Sequence, residues 1–551
     1  MLRFLASILF LIYDYFRYKI NLSGGKDIDK SLFNKLNDNL KKNLIVIKKE
    51  CKENLLIASF VHQAGYIYTD CLIANYLAEI KNLNIIGLMD ENDEQTKSFF
   101  NCFNSKKNVF LSKQKILIKI KYVVIANKIL KKYKNVDEFL KFKLYGITIG
   151  EAVYDHYIRN SNNPSTNYLS YKFLIFLAEA LYVNDFSKEF FKKNKIDYMV
   201  MSERQFIPSI IVFQNALKAK VKVISRMAGP KVIGVAISQS LNEKNDLDRK
   251  LDKKLIQKFY SKNNLKYSNA GFNRIKNMLD GKIKHTDQQN INNKIKTLKN
   301  VKNKVNQFYE FLKLDSSKKT CFIFSHNFLD GVHAGKKIHV FKDYLSWLRE
   351  TLIFINKLDN NTNWIIKEHP SDFGFSKIKT TTKIEFNKII SSNKKNIKFF
   401  PKTFSDSIIK EVADCVVSLA GTCGIEYTCF GIHSINSAGI YYSENGFTND
   451  YRNKSEYFNL LKNLRKVINK KLSKNQIYKA RVHYYLSQLL TKYEHPLLYN
   501  FDITRNLNVE KFFYIINKLI YKHSKNKDKF KKFFTNQLKN NDKHLINNFK
   551  L

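Results

Sequence analysis

Two stretches of this sequence alternate short apolar runs with amphipathic segments, and this alternation restricts the fold more than any other feature. Strand and helix in turn are typical of βαβ units and a parallel sheet. The elements predicted in the N-terminal half are strands at 55–60, 84–89, 198–202 and 222–225, with helices at 69–81 and 208–219. They predict a parallel α/β sheet over roughly residues 45–235.

The second alternating stretch lies in the C-terminal half and is the clearer of the two. Its apolar runs predict strands at 320–324, 363–367, 397–400, 415–418 and 434–436, with helices at 344–358, 405–411 and 425–430. We therefore expect a second doubly wound domain, and hence an α/β protein with two Rossmann-like domains facing a cleft.

The length of 551 residues fits two large domains with helical extensions. Between and beyond the two stretches the chain is rich in Lys and Asn and has helical periodicity. The predicted organisation is a helical N-terminal segment at 1–44, a Rossmann-like domain at 45–240, a charged helical connector at 241–318, a second Rossmann-like domain at 319–455, and a basic helical region at 456–551.

The chain is strongly basic, with 95 Lys and Arg against 48 Asp and Glu and a formal charge of +47. Such a charge favours anionic membranes, polyanions or phosphorylated substrates as partners. The lysines are spread over the whole chain, which is also what a compositional bias distributed over solvated faces produces. No compact Lys/Arg motif stands out, so nucleic acid is not a favoured partner.

The cysteines and the N-terminus indicate the compartment. The seven cysteines are scattered and form no CxxC pair, which favours free thiols in a reducing cytoplasm. The apolar run Met1–Tyr13 is too short to span a bilayer and lacks a signal-peptide cleavage site. Two interpretations stay open: an interfacial helix on the inner membrane, or a helix packed on the protein itself.

The most informative motif runs from Val417 to Glu426, from a predicted strand through a loop of small residues into a helix. Glycines allow close approach of the backbone, and hydroxyls with helix amides suit a phosphate. The candidate phosphate and nucleotide ligands here are Ser418, Gly421, Thr422 and Gly424, with Glu426 placed to accept the hydroxyls of a ribose. The alternative is a tight turn whose glycines serve packing alone.

Two further loops follow predicted strands of the same sheet. Lys367-Glu368-His369-Pro370 ends one strand, and the proline holds the histidine extended. Such a histidine beside a lysine can donate to a phosphate or to a departing nucleotide, although a satisfied turn is the alternative. The second loop contributes Ser325, His326 and Asp330. We expect the three loops to converge, with His369, His326 and Asp330 as candidate catalytic residues and Lys367 and Ser325 as further phosphate ligands.

In the order of these motifs the sequence resembles the capsule polysaccharide biosynthesis glycosyltransferases, which include bacterial Kdo transferases. The resemblance covers roughly residues 320–440. Its elements are His326 and Asp330, Asp343-Tyr344 with Trp347, the Lys367–Pro370 turn, Ala413-Asp414, the Ser418–Glu426 loop, and Phe430-Gly431. One departure is Ile432-His433, where the family pattern has a small residue and a proline.

The resemblance implies a GT-B fold, no required metal and no cofactor. It further implies a C-terminal domain that binds a nucleotide-activated sugar, plausibly a CMP-linked acidic sugar, and an N-terminal domain for a polysaccharide or lipid-linked glycan acceptor. In such enzymes the His-Pro turn and the Ser/Thr loop are associated with the nucleotide phosphate.

The acceptor side is less sharply defined. The stretch Tyr145–Arg159 looks like one found in related surface-carbohydrate enzymes, and Asp155 is the candidate acceptor base, with Glu151 and His62 as further candidates. Glu151, Asp155 and Arg159 at helical spacing are equally well explained by a salt-bridged surface ridge.

Other functions receive less support from the sequence. The twelve histidines show no HExxH motif, and no GxSxG elbow of a serine hydrolase occurs. Together with the resemblance, the sequence predicts a cytoplasmic glycosyltransferase, and a peripheral position on the inner membrane stays open. Two alternatives stay open: a CDP-alcohol phosphotransferase of the teichoic-acid type, and a non-catalytic basic protein that binds nucleic acid or membrane.

Overall fold

The structure is a computed structural model of the full chain that divides into two compact units. Unit 1 comprises Met1–Ser161, Thr166–Asp248 and Thr491–Leu551, and unit 2 comprises Asn162–Ser165 and Arg249–Leu490. The residues that the structure describes are 3–9, 11, 30–45, 51, 53–61, 63–91, 93–111, 116–227, 232–246, 250–262, 264–282, 301–335, 337–370, 380–498, 509–523 and 529–547.

Unit 1 is built on a seven-stranded sheet in the order β13-β6-β5-β4-β1-β2-β3. Its strands are β1 Glu53–Ser59, β2 Leu83–Asp90, β3 Lys107–Leu111, β4 Tyr198–Val200, β5 Lys222–Met227, β6 Val232–Ser238 and β13 Tyr493–Glu494. From β3 to β5 neighbouring strands are parallel. The sequence predicts a fully parallel sheet, but the side of the sheet that contains β6 and β13 is antiparallel. β6 pairs antiparallel with both β5 and β13.

The helices of unit 1 connect the strands of this sheet and also form the segments near the two ends of the chain. Helix Ala64–Lys81 joins β1 to β2, and its middle turns are buried. The other helices are Lys30–Asn43, Glu94–Cys102, Ile116–Leu130, Val136–Phe139, Ile149–Ser161, Tyr171–Lys193, Ser209–Lys218, Val509–Tyr521 and Lys529–Asn540.

Unit 2 contains a six-stranded sheet in the order β12-β11-β10-β7-β8-β9, and all its neighbouring strands are parallel. Its strands are β7 Lys319–Phe324, β8 Thr362–Lys367, β9 Ile397–Phe399, β10 Cys415–Val417, β11 His433–Ser437 and β12 Asn449–Tyr451. Counted from β7, this is the Rossmann strand order 3-2-1-4-5-6.

Both faces of the unit 2 sheet are covered, as the unbroken apolar runs of its strands require. Successive side chains of a strand point to opposite faces. Cys321 and Ile323 of β7 therefore join the core cluster that contains helix Tyr344–Lys357, while Phe322 joins the cluster on the other face with Phe308 and Ile409. The sheet is doubly wound, and the predicted α/β class with two Rossmann-like domains is confirmed.

The remaining helices of unit 2 flank this sheet. They are Lys253–Ser261, Leu265–Leu279, Val301–Leu312, Tyr344–Lys357, Thr382–Ile389, Ile409–Val412, Cys423–Thr428, Lys454–Lys462, Leu464–Asn469 and Lys474–Tyr485. The helices read from the sequence as a connector therefore belong to unit 2.

The division of the chain differs from the predicted domains at its C-terminal end. The region 456–551 is not one body: the chain up to Leu490 packs in unit 2, and from Thr491 it belongs to unit 1. The reason lies in packing, because Phe513 and Phe534 are fully buried in the core that contains Leu55 and Ile57 of β1. An amphipathic helix does not specify locally which core will cover its apolar face.

No helix among the described residues combines the length and the apolar character needed to cross a bilayer. All seven cysteines lie in the described part of the chain and carry free thiols, and six of them are buried.

A first prediction concerns Gly424, whose backbone packs against two polar side chains. A Cβ at this position would collide with the Tyr442 hydroxyl and the Asn436 amide. We expect Gly424→Ala to lower the free energy of unfolding by about 1 to 3 kcal/mol, since overpacked side chains cannot move without cost. Urea unfolding of the purified protein measures it.

The matched control is Gly446→Ala. Gly446 has φ +80, and a Cβ there would meet nothing within 4 Å. That substitution should therefore cost only the strain of a left-handed residue, about 1 kcal/mol. Equal losses in the two variants would contradict the packing role of Gly424.

Candidate functional site

The candidate site of unit 2 lies at the carboxyl edge of its sheet, where the strand order reverses. β7 pairs with β8 on one side and with β10 on the other. From β7 the chain therefore adds β8 and β9 toward one edge of the sheet and then β10, β11 and β12 toward the other. Ligands of open α/β sheets bind at such a switch point, beyond the carboxyl ends of the strands. The three loops singled out by the sequence follow these three strands.

His326, directly after β7, is joined to the loop after β10. Its Nε2 accepts the backbone N–H of Leu419 at 3.2 Å and that of Ala420 at 3.3 Å. Since both donors are main-chain amides, Nε2 carries no proton, and the imidazole is neutral. The ring stacks on Tyr344 with 4.3 Å between centroids. His326 therefore holds two loops together across the switch point.

Ser418 is fully buried and belongs to the same arrangement. Its Oγ accepts the N–H of Gly421 at 2.6 Å and lies 3.2 Å from Nε2 of His326. Ser418, a predicted phosphate ligand, and His326, a predicted catalytic residue, thus have partners within the protein and stabilise the conformation of the loop.

The two glycines of the loop are required by close packing. A Cβ on Gly421 would lie 2.7 Å from Ser418 Oγ and 3.1 Å from Cys423 Sγ. The Tyr442 hydroxyl lies 2.6 Å from the carbonyl oxygen of Gly421 and donates toward it. The helix that follows, Cys423–Thr428, has only six residues, so few aligned peptide dipoles stand behind its N-terminus.

Thr422 and Glu426 occupy different positions in this loop and helix. Thr422 is the N-cap residue, is partly exposed, and makes no side-chain capping bond. Its hydroxyl is therefore placed at the surface of the loop. Glu426 lies within the helix and is 8% exposed. Little of its side chain is therefore accessible to a ribose.

Lys367, at the end of β8, is the cation next to this loop. Its side chain is almost buried, and its Nζ lies 3.2 Å from Oδ2 of Asp406. Burial raises the pKa of the Cys423 thiol to about 12, with Glu426 adding to the rise and Lys367 opposing it. Lys367 and Glu426 are therefore both within electrostatic range of the start of the helix.

The other predicted residues of unit 2 line the neighbouring loops. Ser325 is buried, and its Oγ accepts a hydrogen bond of 2.7 Å from Thr382. Asp330 is half-buried in the turn after β7, with its N–H bonded to the carbonyl of Asn327. His369 is partly exposed, two residues beyond β8.

Taken together, unit 2 collects the ten predicted site residues of the three loops at one sheet edge. Asp155, the candidate acceptor base, lies in unit 1 on helix Ile149–Ser161. Asp155 is only 1% exposed, so its carboxylate does not face solvent, and its role as acceptor base stays a prediction. Glu151 is partly exposed on the same helix, and His62 lies outside the described residues.

Unit 1 has its own switch point, between β1 and β4. A small cavity there is lined by residues that follow both strands, including Ser59, Tyr66, Asp70, Ser202 and Glu203. Asp70 is 3% exposed and accepts hydrogen bonds from the hydroxyl and the N–H of Ser202. Burial raises the pKa of Glu203, which hydrogen bonds from Gln205 and Arg204 partly offset.

Sequence reasoning missed this second cluster. Ser202 ends the predicted strand at 198–202 and Glu203 directly follows it, so polar residues at the end of a strand were a usable signal. No such sequence signal marked Asp70. It lies inside an apolar helix, and its partner Ser202 comes close only when the chain folds. Among the described residues, no group of three or more His, Cys, Asp or Glu side chains is arranged to hold a metal ion.

A second prediction follows from the acceptor role of His326. His326→Ala should leave two buried amides without an acceptor and cost about 2 to 4 kcal/mol of unfolding free energy. Hydrogen exchange of the Leu419 and Ala420 amides should accelerate together. His326→Phe is the matched control, because it keeps a ring against Tyr344 but offers no acceptor. Protection of both amides in either variant would contradict the assignment.

A third prediction concerns His156, whose partly buried ring is in edge contact with Phe176 at 4.7 Å between ring centroids. Burial lowers its pKa from 6.5 to about 4. Between these values the unfolded chain binds the extra proton, so stability falls as the pH drops from about 6.5 toward 4. The loss between pH 7 and pH 5 should be about 2 kcal/mol.

His156→Leu should remove that part of the pH dependence, and urea unfolding at the two pH values measures it. An unchanged difference between pH 7 and pH 5 in the variant would show that other groups produce it.

No protein-family model matches the sequence, and no curated protein matches it. Similar solved structures include the β-Kdo 2,4 transferase KpsC of Thermosulfurimonas dismutans, 10% identical with a TM-score of 0.28 over 52% of this chain and 80% of that chain. A glycosyltransferase from Rickettsia africae is 12% identical with a TM-score of 0.28, over 86% and 100%. S. aureus MnaA, solved with UDP, is 11% identical with a TM-score of 0.28, over 79% and 92%. At these values the similarities assign neither a family nor an activity to this chain.

Proposed function

We propose that this chain is a glycosyltransferase whose unit 2 binds a nucleotide-activated sugar at the carboxyl edge of its sheet. The observation that carries the proposal is the strand order of unit 2, with its switch point between β7 and β10. The predicted histidine loop and the predicted Gly-Thr loop follow these two strands and are hydrogen-bonded to each other. A nucleotide is the ligand that such an edge commonly accepts.

In this proposal the phosphates contact the surface of the Ser418–Gly424 loop. Thr422 offers a hydroxyl at that surface, and Gly421 keeps the loop closely packed on Ser418 and Cys423. Lys367 supplies positive charge nearby, although Asp406 already pairs with it. A bound phosphate would compete with Asp406 for that ammonium group. Ser418 and Ser325 contribute through the shape of the loops.

The transfer itself replaces the bond between the anomeric carbon and the phosphate oxygen with a bond to an acceptor hydroxyl. The departing nucleotide gains negative charge, which Lys367 and the partly exposed His369 would stabilise. The proton of the hydroxyl must pass to a base. Asp155 is the predicted base, and its side chain is 1% exposed. Asp330 is the predicted carboxylate within the histidine loop of unit 2.

The finer identity of the substrates rests on the resemblance of residues 320–440 to capsule polysaccharide glycosyltransferases. It supports a CMP-linked acidic sugar as donor and a surface polysaccharide or lipid-linked glycan as acceptor. A cytoplasmic enzyme at the inner membrane fits such substrates.

A fourth prediction tests the donor site by thermal shift of the purified full chain with CMP, CDP, UDP, GDP and ADP. A ligand that binds only the folded state adds about 2.7 kcal/mol of stability at 100 times its Kd. We expect a selective shift with CMP that His369→Ala reduces, while the unliganded melting temperature stays unchanged because His369 is partly exposed.

His523→Ala is the matched control, since it removes a partly exposed histidine from unit 1. A shift with another nucleotide would keep the site and change the donor. Transfer of glycerol phosphate from a CDP-linked donor would replace the proposal with a phosphotransferase. No shift with any nucleotide would refute the donor site.

A further inference from the structure

Helix Ile116–Leu130 of unit 1 exposes large apolar side chains to solvent. Ile118 is 42% exposed, Val124 38% and Ile125 37%. Within the described residues no other helix exposes as many large apolar side chains. Contiguous exposed apolar surface of this kind marks an interaction site more often than isolated exposed residues do.

The exposed face of this helix alternates apolar and basic residues. Ile118 and Ile125 are two turns apart, and Lys121 and Lys128 follow each of them by one turn. Residues three, four and seven positions apart share one face of a helix. Both lysines are exposed. The face therefore presents a row of isoleucines with an ammonium group beside each.

The opposite face fixes the helix in the fold. Val123, Ala126 and Leu130 are fully buried. Tyr122 donates a hydrogen bond of 2.9 Å to Asp185 on helix Tyr171–Lys193, and the Tyr122 and Tyr182 rings are in edge contact. The exposed isoleucines are therefore held outward by a packed helix, and no described element covers them.

The charge around this face selects its occupant. The helix sequence contains no acidic residue, and the exposed lysines 131, 132 and 134 directly follow it. A second copy of the chain would bring lysine against lysine on this face. A nucleic acid would pair with the lysines but leave the isoleucines in water. An anionic bilayer satisfies both, since acyl chains accept the isoleucines and lipid phosphates accept the lysines.

We propose that the exposed face of helix Ile116–Leu130 docks on the surface of an anionic membrane, with Ile118 and Ile125 entering the headgroup boundary and Lys121 and Lys128 contacting lipid phosphates. This proposal stands independently of the donor site. The N-terminal helix supports it, because Leu5 is 49% and Leu9 67% exposed. That helix also lies on helix Tyr171–Lys193, where Ser7 donates to the carbonyl of Tyr171 at 3.3 Å.

The fifth prediction is tested by sedimentation of the purified full chain with lipid vesicles. We expect binding to phosphatidylcholine vesicles that contain about one third phosphatidylglycerol, little binding to pure phosphatidylcholine, and weakening by salt. Ile118→Ser together with Ile125→Ser should lower the partition coefficient at least about tenfold. Lys121→Gln together with Lys128→Gln should lower it about fivefold per lysine.

Matched controls come from helix Thr382–Ile389 of unit 2, where Ile384 is 41% exposed and Lys383 is exposed. Ile384→Ser and Lys383→Gln should leave vesicle binding unchanged. All these positions are exposed, so melting temperatures equal to that of the wild type are expected and are checked first. Deletion of residues 1–20 distinguishes the contribution of the N-terminal helix from that of helix Ile116–Leu130. The shortened chain should still bind vesicles through helix Ile116–Leu130.

Three outcomes would overturn the proposal. The first is vesicle binding by the Ile118→Ser, Ile125→Ser variant that equals wild-type binding. The second is equal binding to neutral and anionic vesicles. The third is a wild-type dimer that becomes a monomer in the Ile118→Ser, Ile125→Ser variant, with no vesicle binding by either protein. That result would identify the face as a protein contact.

Discussion

The candidate site depends on one histidine that accepts hydrogen bonds and does not donate them at Nε2. His326 receives the amides of Leu419 and Ala420, and this fixes the loop after β10 relative to the loop after β7. Ser418 Oγ lies 3.2 Å from the same nitrogen and accepts the amide of Gly421. The ring thus contacts three consecutive residues of the loop, and Ser418 connects the fourth, Gly421, to them.

Charge at this edge is compensated within the protein. Lys367 is nearly buried and would be costly to hold there alone, and Asp406 at 3.2 Å lowers that cost. A buried pair of this kind keeps the ammonium group in a fixed position, so an arriving phosphate meets a cation that is already oriented. The cost is that the phosphate competes with a carboxylate. Thr422, His369 and Asp330 are predicted site residues with partly exposed side chains.

The high positive charge acquires a more specific meaning once the fold is known. A charge of +47 spread over the sequence says little about where a partner binds. The structure distinguishes lysines beside solvated polar residues from lysines beside exposed isoleucines on helix Ile116–Leu130. Only the second environment combines attraction to phosphate with a gain from burying apolar surface, so it is the one that selects a membrane over other polyanions.

The sequence by itself determined the elements and the order of the motifs. Strands such as β1, β8 and β10 were predicted within two residues of their ends, because buried parallel strands are continuous apolar runs with polar loops on either side. The short edge strands β3, β12 and β13 were missed, since an edge strand needs fewer apolar residues. β6 was also missed, although it is an apolar strand that pairs on both sides. The convergence of the three unit 2 loops was also predictable, because parallel strands of one sheet end at the same edge.

Only the tertiary structure decided what each motif residue does and which core receives each helix. Nothing in the sequence indicated that His326 accepts two amides, that Asp406 pairs with Lys367, or that Phe513 and Phe534 return to the first sheet. These contacts join residues that are tens to hundreds of positions apart. Local periodicity reports the element a residue belongs to, whereas the partner of a buried polar or apolar group is fixed only when distant segments pack together.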